Sequence, residues 1–455
     1  MEQVQQNKMG TAPMFKLILS MSLPAMFSML IQSLYNVVDS YFVAKISENA
    51  FTAVSIAAPA QLLMLSVGVG TGVGINSLVS RRLGEGKQHE ADLAATHGVL
   101  LGLFNWLVFA LLGLFAVGPF FAAMTDNTEI HQLGVKYLAI VMIASIGVFL
   151  QMNLEKTLQA TGNMIYPMIS QLTGAILNIV LDPIFIFGYF GMPKMGIAGA
   201  AIATVVGQIV AACFVLYVSL FKKHRVTISF RNFQFRWKTV KDIYAVGFPS
   251  MIMQAIGSVL VAGLNVILIR FSETAVAVYG AYFKLQSFVF MPVFGLNQGV
   301  MPIMGYNYGA QNRRRLIKAL KIGCLFALCI MCLGTVLFWV FPEQLLLIFE
   351  ASPQMLEIGV PALRIISLCF PMAALGILFS TLFQATGMGG KSLFISLLRQ
   401  LICILPVAYL LAQVGGLHAV WYAFPIAETV SLVASVLIFW QLYQKKLQFI
   451  PDGED

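Results

Sequence analysis

Charge is what this sequence has least of. Asp, Glu, Lys and Arg make up 10% of its 455 residues, against about 25% in a soluble domain. That shortage excludes an ordinary water-soluble globule, and equally a disordered chain kept in solution by its own charge. Histidine is sparse: His89, His97, His131, His224 and His418 stand singly near loops or helix ends. No nucleophile, metal or nucleotide motif accompanies them, so an enzyme and a bound cofactor are not expected. The six cysteines (Cys213, Cys324, Cys329, Cys332, Cys369 and Cys403) all lie in apolar runs with no partnering His or carboxylate, and they read as packing residues. The N-terminal "MEQVQQNKMGTAPMF" lacks a short apolar core followed by a small-residue cleavage site, so no signal peptide is expected.

What is abundant is apolar: 59% of the residues are hydrophobic. Charge-poor stretches of about 20 residues or more recur along the chain, each long enough to cross a hydrocarbon core of about 30 Å. The expected spans are 14–44, 52–79, 93–120, 134–154, 165–190, 196–221, 242–270, 275–303, 316–341, 358–385, 392–414 and 418–443. They are too long, and too uniformly apolar, for barrel strands of alternating polarity. The fold class expected is an all-α integral membrane protein of twelve transmembrane helices. With both termini on the cytoplasmic side, most basic residues fall on inner loops, among them Lys222, Lys223, Arg225, Arg231, Arg236, Lys238 and Lys241, as the positive-inside bias requires. The net charge of +9 thus reads as topology and attraction to a lipid bilayer, and nucleic acid is not expected as a partner.

The chain also repeats itself. At a constant offset of 225 residues Pro24 meets Pro249, Ser47 and Glu48 meet Ser272 and Glu273, Gly74 meets Gly299, and Gly84 meets Gly309. In the same register "QATG" at 159–162 meets "QATG" at 384–387. The copies span an even number of helices and so share an orientation. This gives two six-helix lobes related by a pseudo-two-fold along the membrane normal, the plan of transporters that rock two bundles about a central cavity. The expected domains are an N-lobe of residues 1–221, a basic cytoplasmic linker of 222–241, and a C-lobe of 242–455. A channel would expose a selectivity motif or re-entrant loop, and none is legible.

Against this background a carboxylate in a span calls for a reason, because a charge at a helix centre costs from about 2.5 to over 10 kcal/mol. "ILNIVLDPIFIF" carries Asp182, and the first span carries Asp39. Counting from the nearest outer loop puts Asp39, Asp182 and Thr204 at depths of about 9, 14 and 15 Å, in one layer of the outer half. Asn178 and Asp182 are four residues apart on one helical face, and Gln32, Tyr35, Asn36 and Asp39 form a polar stripe. Pro183 cannot donate to the carbonyl of Ile179, which frees that oxygen a turn away. These groups make an oxygen-rich pocket for a shared proton or Na⁺, with no other metal. Two adjoining carboxylates cannot both be ionised cheaply, and the residues leave H⁺ and Na⁺ both open. Offset 225 places Leu264 and Val407 opposite the two acids, so the acidic site is expected once. Arg399 and Glu428 remain as a pair within spans, with structural pairing the first reading and substrate contact the second. Gln32, Tyr35, Gln61, Met64, Gln286 and Asn297 are candidates for a substrate cavity from polarity and position.

The segments "LPAMFSMLIQSLYNVVDSYFVAKI", "GVGTGVGINSLVSRRLGEG", "QATGN", "LNIVLDPIFIFG", "GIAGAAIATVVGQ" and "GLNQGVMPIMGYNYGAQN", in this order and spacing, resemble the multidrug and toxic compound extrusion (MATE) family over essentially the whole chain. The resemblance implies an efflux antiporter of the bacterial plasma membrane. It would export cationic, often aromatic small molecules in exchange for H⁺ or Na⁺, acting as a monomer. It further implies that Asp39, Asn178 and Asp182 form the coupling centre with the Thr204 hydroxyl, and that the first helix bends at Pro24. Branches with acidic cation residues in helices seven and ten are not matched: residues 250–270 hold no Asp or Glu, and the tenth span has only Glu357 at its outer end. The rival reading is a flippase of lipid-linked oligosaccharide or lipid II, which would favour a cationic cavity and further helices.

Overall fold

The computed structural model describes residues 7–231 and 233–453. Helix accounts for 86% of it, and there is no strand among the described residues. Three single helices come first, α1 (Met14–Ala44), α2 (Glu48–Gly84) and α3 (Gln88–Phe115). A bent pair, α4 (Thr128–Ile143) and α5 (Ile146–Ala160), precedes α6 (Ile165–Phe187) and α7 (Ile197–Phe221). The second half repeats the pattern with α8 (Trp237–Leu268), α9 (Glu273–Gly309) and α10 (Arg313–Val340). The bent pair α11 (Pro353–Ser367) and α12 (Phe370–Ala385) follows. The last two are α13 (Gly389–Val420), with a π-helical stretch at Leu398–Ile404, and α14 (Ala423–Lys445). Among the described residues ten helices are long and apolar enough to cross a membrane singly, and counting each bent pair as one span makes twelve. This gives the twelve spans expected.

The matched residues of the repeat turn out to be boundary signals. Ser47 and Ser272 are N-caps whose hydroxyls accept from the amides of Ala50 (3.0 Å) and Ala275 (3.1 Å), satisfying donors that the first turn leaves unpaired. In "QATG" the glycine ends a helix in left-handed conformation, at φ 88° for Gly162 and 83° for Gly387. The bonds Asn163 N to Leu158 O and Met388 N to Phe383 O close the turn.

Both halves break at equivalent positions, a feature hydropathy alone did not reveal. α4 and α5 meet at 44°, and α11 and α12 at 46°. A break in lipid must have its freed carbonyls satisfied, and the third crossing of each half supplies the donors. Trp106 Nε1 of α3 donates to Ile143 O at 2.9 Å. Thr335 Oγ1 and Trp339 Nε1 of α10 donate to Ser367 O and Arg364 O, each at 3.0 Å.

The chain divides into two compact units, one of residues Phe27–Met251 and one of residues up to Met26 together with those from Ile252 onward. The divisions fall inside α1 and α8, just after their interior prolines Pro24 and Pro249. Within the Phe27–Met251 unit, the first part of α8 lies against α2 at glycines, and a Cβ at Gly74 would collide with the carbonyl of Ile243. Within the other unit, the first part of α1 lies against α9, where a Cβ at Gly299 would stand 2.8 Å from Ser22 Cα. The segment ahead of α8 lies along the start of α3: Thr227 N donates to Asp92 Oδ1 at 2.8 Å, and Arg236 N to His97 Nε2 at 3.0 Å.

Two measurements check this packing. Gly74→Val and Gly299→Val should each cost about 1–3 kcal/mol through overpacking, read as a lower midpoint of thermal unfolding in detergent. Gly376→Ala, where a Cβ meets nothing within 4 Å, should leave the midpoint unchanged. Asp92→Ala should release the segment ahead of α8 and raise the rate of trypsin cleavage at Arg225 or Arg231 about fivefold, the loss of roughly 1 kcal/mol of hydrogen bonding.

Candidate functional site

The close approach of α6 and α7 comes from small residues. A Cβ at Gly207 would lie 2.8 Å from Gly174 O, and one at Gly199 would lie 2.5 Å from the Phe185 carbonyl. With the backbones this near, Thr204 of α7 reaches Asn178 of α6, with 3.0 Å between the Asn178 amide and Thr204 Oγ1. The amide orientation that satisfies both neighbours has the Asn178 NH₂ donating to Asp182 Oδ2 at 2.8 Å. Its oxygen then accepts from Thr204 N at 3.1 Å and from Thr204 Oγ1 at 3.0 Å. Asp182, Asn178 and Thr204 are all buried.

α1 brings the second carboxyl. Asp39 is half-buried and its carboxyl lies beside that of Asp182, while Tyr35, one turn earlier, adjoins Thr204. Each acid keeps one oxygen, Asp39 Oδ1 and Asp182 Oδ1, buried with no partner among the described residues. Two carboxyl groups placed side by side can hydrogen-bond to one another only with a proton between them, because two carboxylates have acceptors only. Groups from three helices thus meet in one layer.

The other residues singled out in the sequence separate. Asn36 and Gln32 are exposed, and neither side chain hydrogen-bonds to the acids. Gln61 donates to Tyr137 Oη at 3.2 Å. Met64 is buried in the apolar core with Phe109 and Phe149, where its flexible thioether fills space. Gln286 is half-buried, and Asn297 accepts from Thr381 Oγ1. Pro24 lies in unbroken helix. Tyr137 of α4, buried at 3% exposure, was missed by sequence reasoning although its hydroxyl lies within electrostatic range of both acids. The signal was present in the repeat, where offset 225 gives Ala362.

Comparison with known proteins identifies the family. The MatE family model matches residues 24–184 and again 249–410, one match in each half of the repeat. The multidrug export protein MepA of Staphylococcus aureus (strain bovine RF122 / ET3-1) is 26% identical over 436 residues, covering 95% of this chain and 94% of that protein. MepA of Staphylococcus saprophyticus is 26% identical over 429 residues, covering 94% of each. A solved structure described as the outward-facing conformation of a multidrug resistance MATE family transporter superimposes with a TM-score of 0.92 at 26% identity, covering 98% of this chain and 100% of that one. The chain belongs to the MatE family and is a multi-pass membrane protein of that family of transporters.

Proposed function

We propose that this protein exports cationic and aromatic small molecules across a bacterial plasma membrane in exchange for H⁺ taken up at the Asp39–Asp182 pair, working as a monomer with both termini in the cytoplasm. The observation that carries the reading is the contact between two carboxyl groups of different helices in a charge-poor membrane protein, where an acid has little structural reason to be. The names of the MepA relatives support the export of drugs.

H⁺ is favoured over Na⁺ by the direction of the neighbouring dipoles. A sodium ion needs several oxygens turned toward it. In the amide orientation that satisfies both neighbours, Asn178 turns its NH₂ to Asp182 and its oxygen to Thr204, which suits a carboxyl pair sharing a proton. The Tyr35 and Thr204 hydroxyls adjoin one another.

The mechanism follows from differential binding. Without the proton, two carboxylates in contact repel, and the outer part of α1 is pushed from α6. With it, they are hydrogen-bonded and α1 is drawn in. α1 continues past Pro24 into the other unit, so the state of the pair is coupled to that unit through one helix. A proton taken from outside favours the arrangement that binds the exported cation weakly, and each ligand disfavours the other.

In inside-out vesicles, a proton gradient acid inside should drive ethidium uptake. Asp39→Asn and Asp182→Asn should each reduce it to the protein-free background while leaving thermal unfolding unchanged, and Thr204→Val should slow it about fivefold or more through loss of the hydroxyl that meets Asn178 and Tyr35. Full uptake in both Asn variants would remove the coupling reading. Uptake driven by a Na⁺ gradient at symmetric pH would replace H⁺ with Na⁺.

A further inference from the structure

The unit that contains α9 to α14 holds a membrane-embedded carboxylate that the coupling chemistry does not use. Glu428 of α14 is 8% exposed. Its Oε2 is buried with no partner among the described residues, and so is the Oγ of Ser431, three residues on and therefore on the same helical face. The facing cation, Arg399 of α13, holds Glu428 loosely: Nη1 stands 3.6 Å from Oε1, against about 2.7–2.9 Å for a well-made charge-assisted hydrogen bond. Arg399 lies in the π-helical stretch Leu398–Ile404, a local widening frequent at functional sites.

The surroundings are aromatic. Phe424, one turn before Glu428, packs on Tyr279 and Tyr282 with ring centroids 6.2 and 5.9 Å apart, and the Tyr282 hydroxyl is within electrostatic range of Glu428. The location is also pointed. Offset 225 carries Arg399 onto Gly174 and Glu428 onto Ala203, beside Thr204, so α13 and α14 are the counterparts of the helix pair that builds the proton site. Where the first half has glycine and close helices, the second has an arginine and a carboxylate with capacity to spare.

A fixed structural pair would close its hydrogen bonds. This one presents two unused oxygens, a negative charge and flat rings, and what would satisfy all of them is a planar or compact organic cation bearing N–H donors. We propose that Glu428 Oε2 and Ser431 Oγ receive the N–H groups of an amidinium or primary ammonium on the exported compound, which displaces the Arg399 guanidinium. The inference rests on the export reading and narrows its substrates: compounds with N–H donors use this subsite, and cations without them do not.

The test is direct binding to the purified full chain in detergent, with no gradient, by calorimetric titration of the aromatic diamidine DAPI and of tetraphenylphosphonium, which has no N–H. Glu428→Gln should weaken DAPI about tenfold or more and leave tetraphenylphosphonium within about twofold. Ser431→Ala should weaken DAPI about threefold, and Arg399→Gln should tighten it by removing the internal competitor. Unfolding midpoints are measured alongside, and should Glu428→Gln fail to fold, the other two variants carry the test. Equal effects on both cations, or Arg399→Gln that lowers the midpoint with DAPI affinity unchanged, would make the pair structural and overturn the proposal alone. Wild-type protein that binds neither cation would overturn the export reading and this one together.

Discussion

Hydrocarbon offers no hydrogen bonds, and the structure is organised by that constraint. A backbone that breaks its helix must find donors from another helix, and a carboxylate must find a partner inside the protein. The break at Ile143 is met by the indole of Trp106, and those at Arg364 and Ser367 by Trp339 and Thr335. The same rule, applied to side chains, brings Asp39 to Asp182 and turns Asn178 toward it. Among the buried atoms that have no partner among the described residues are Asp39 Oδ1, Asp182 Oδ1, Glu428 Oε2 and Ser431 Oγ, and at these the proposed proton and cation sites lie.

Duplication supplies the frame and asymmetry supplies the chemistry. Caps, helix breaks and glycine contacts recur at one offset because each half solves the same packing problem. Most of the groups proposed to act stand where the halves disagree: Asp39 against Leu264, Asp182 against Val407, Tyr137 against Ala362, Arg399 against Gly174, whereas Thr204 keeps its counterpart in Thr429. The exchange of helix segments at Pro24 and Pro249 gives each unit part of a helix whose remainder belongs to the other. In the proposed mechanism, a rearrangement at the acid pair acts on α1, whose residues divide between the two units.

Much of this was legible in the sequence, for physical reasons. Twelve spans and their repeat could be read because membrane burial demands long apolar runs, and helix caps leave short recurring words. The two acids, with Asn178 and Thr204, stood out because polar groups are scarce at that depth. The breaks within the fourth and tenth crossings could not be read, since hydrophobicity runs through them without interruption and their donors come from other helices. Helical spacing grouped Asn36 and Gln32 with Asp39, but a stripe has width, and only the Tyr35 and Asp39 positions face α6 and α7. Met64 looked like a cavity residue because polarity cannot distinguish a thioether in a core from one lining a site.

The central claim is that the Asp39–Asp182 pair holds a proton which the exported cation displaces. The direct measurement is the number of protons released when tetraphenylphosphonium is added to purified protein in weakly buffered detergent solution near neutral pH. The account predicts about one proton released for each cation bound, and none from Asp182→Asn with the cation still bound. Binding of the cation to the wild-type protein with no proton released would contradict it.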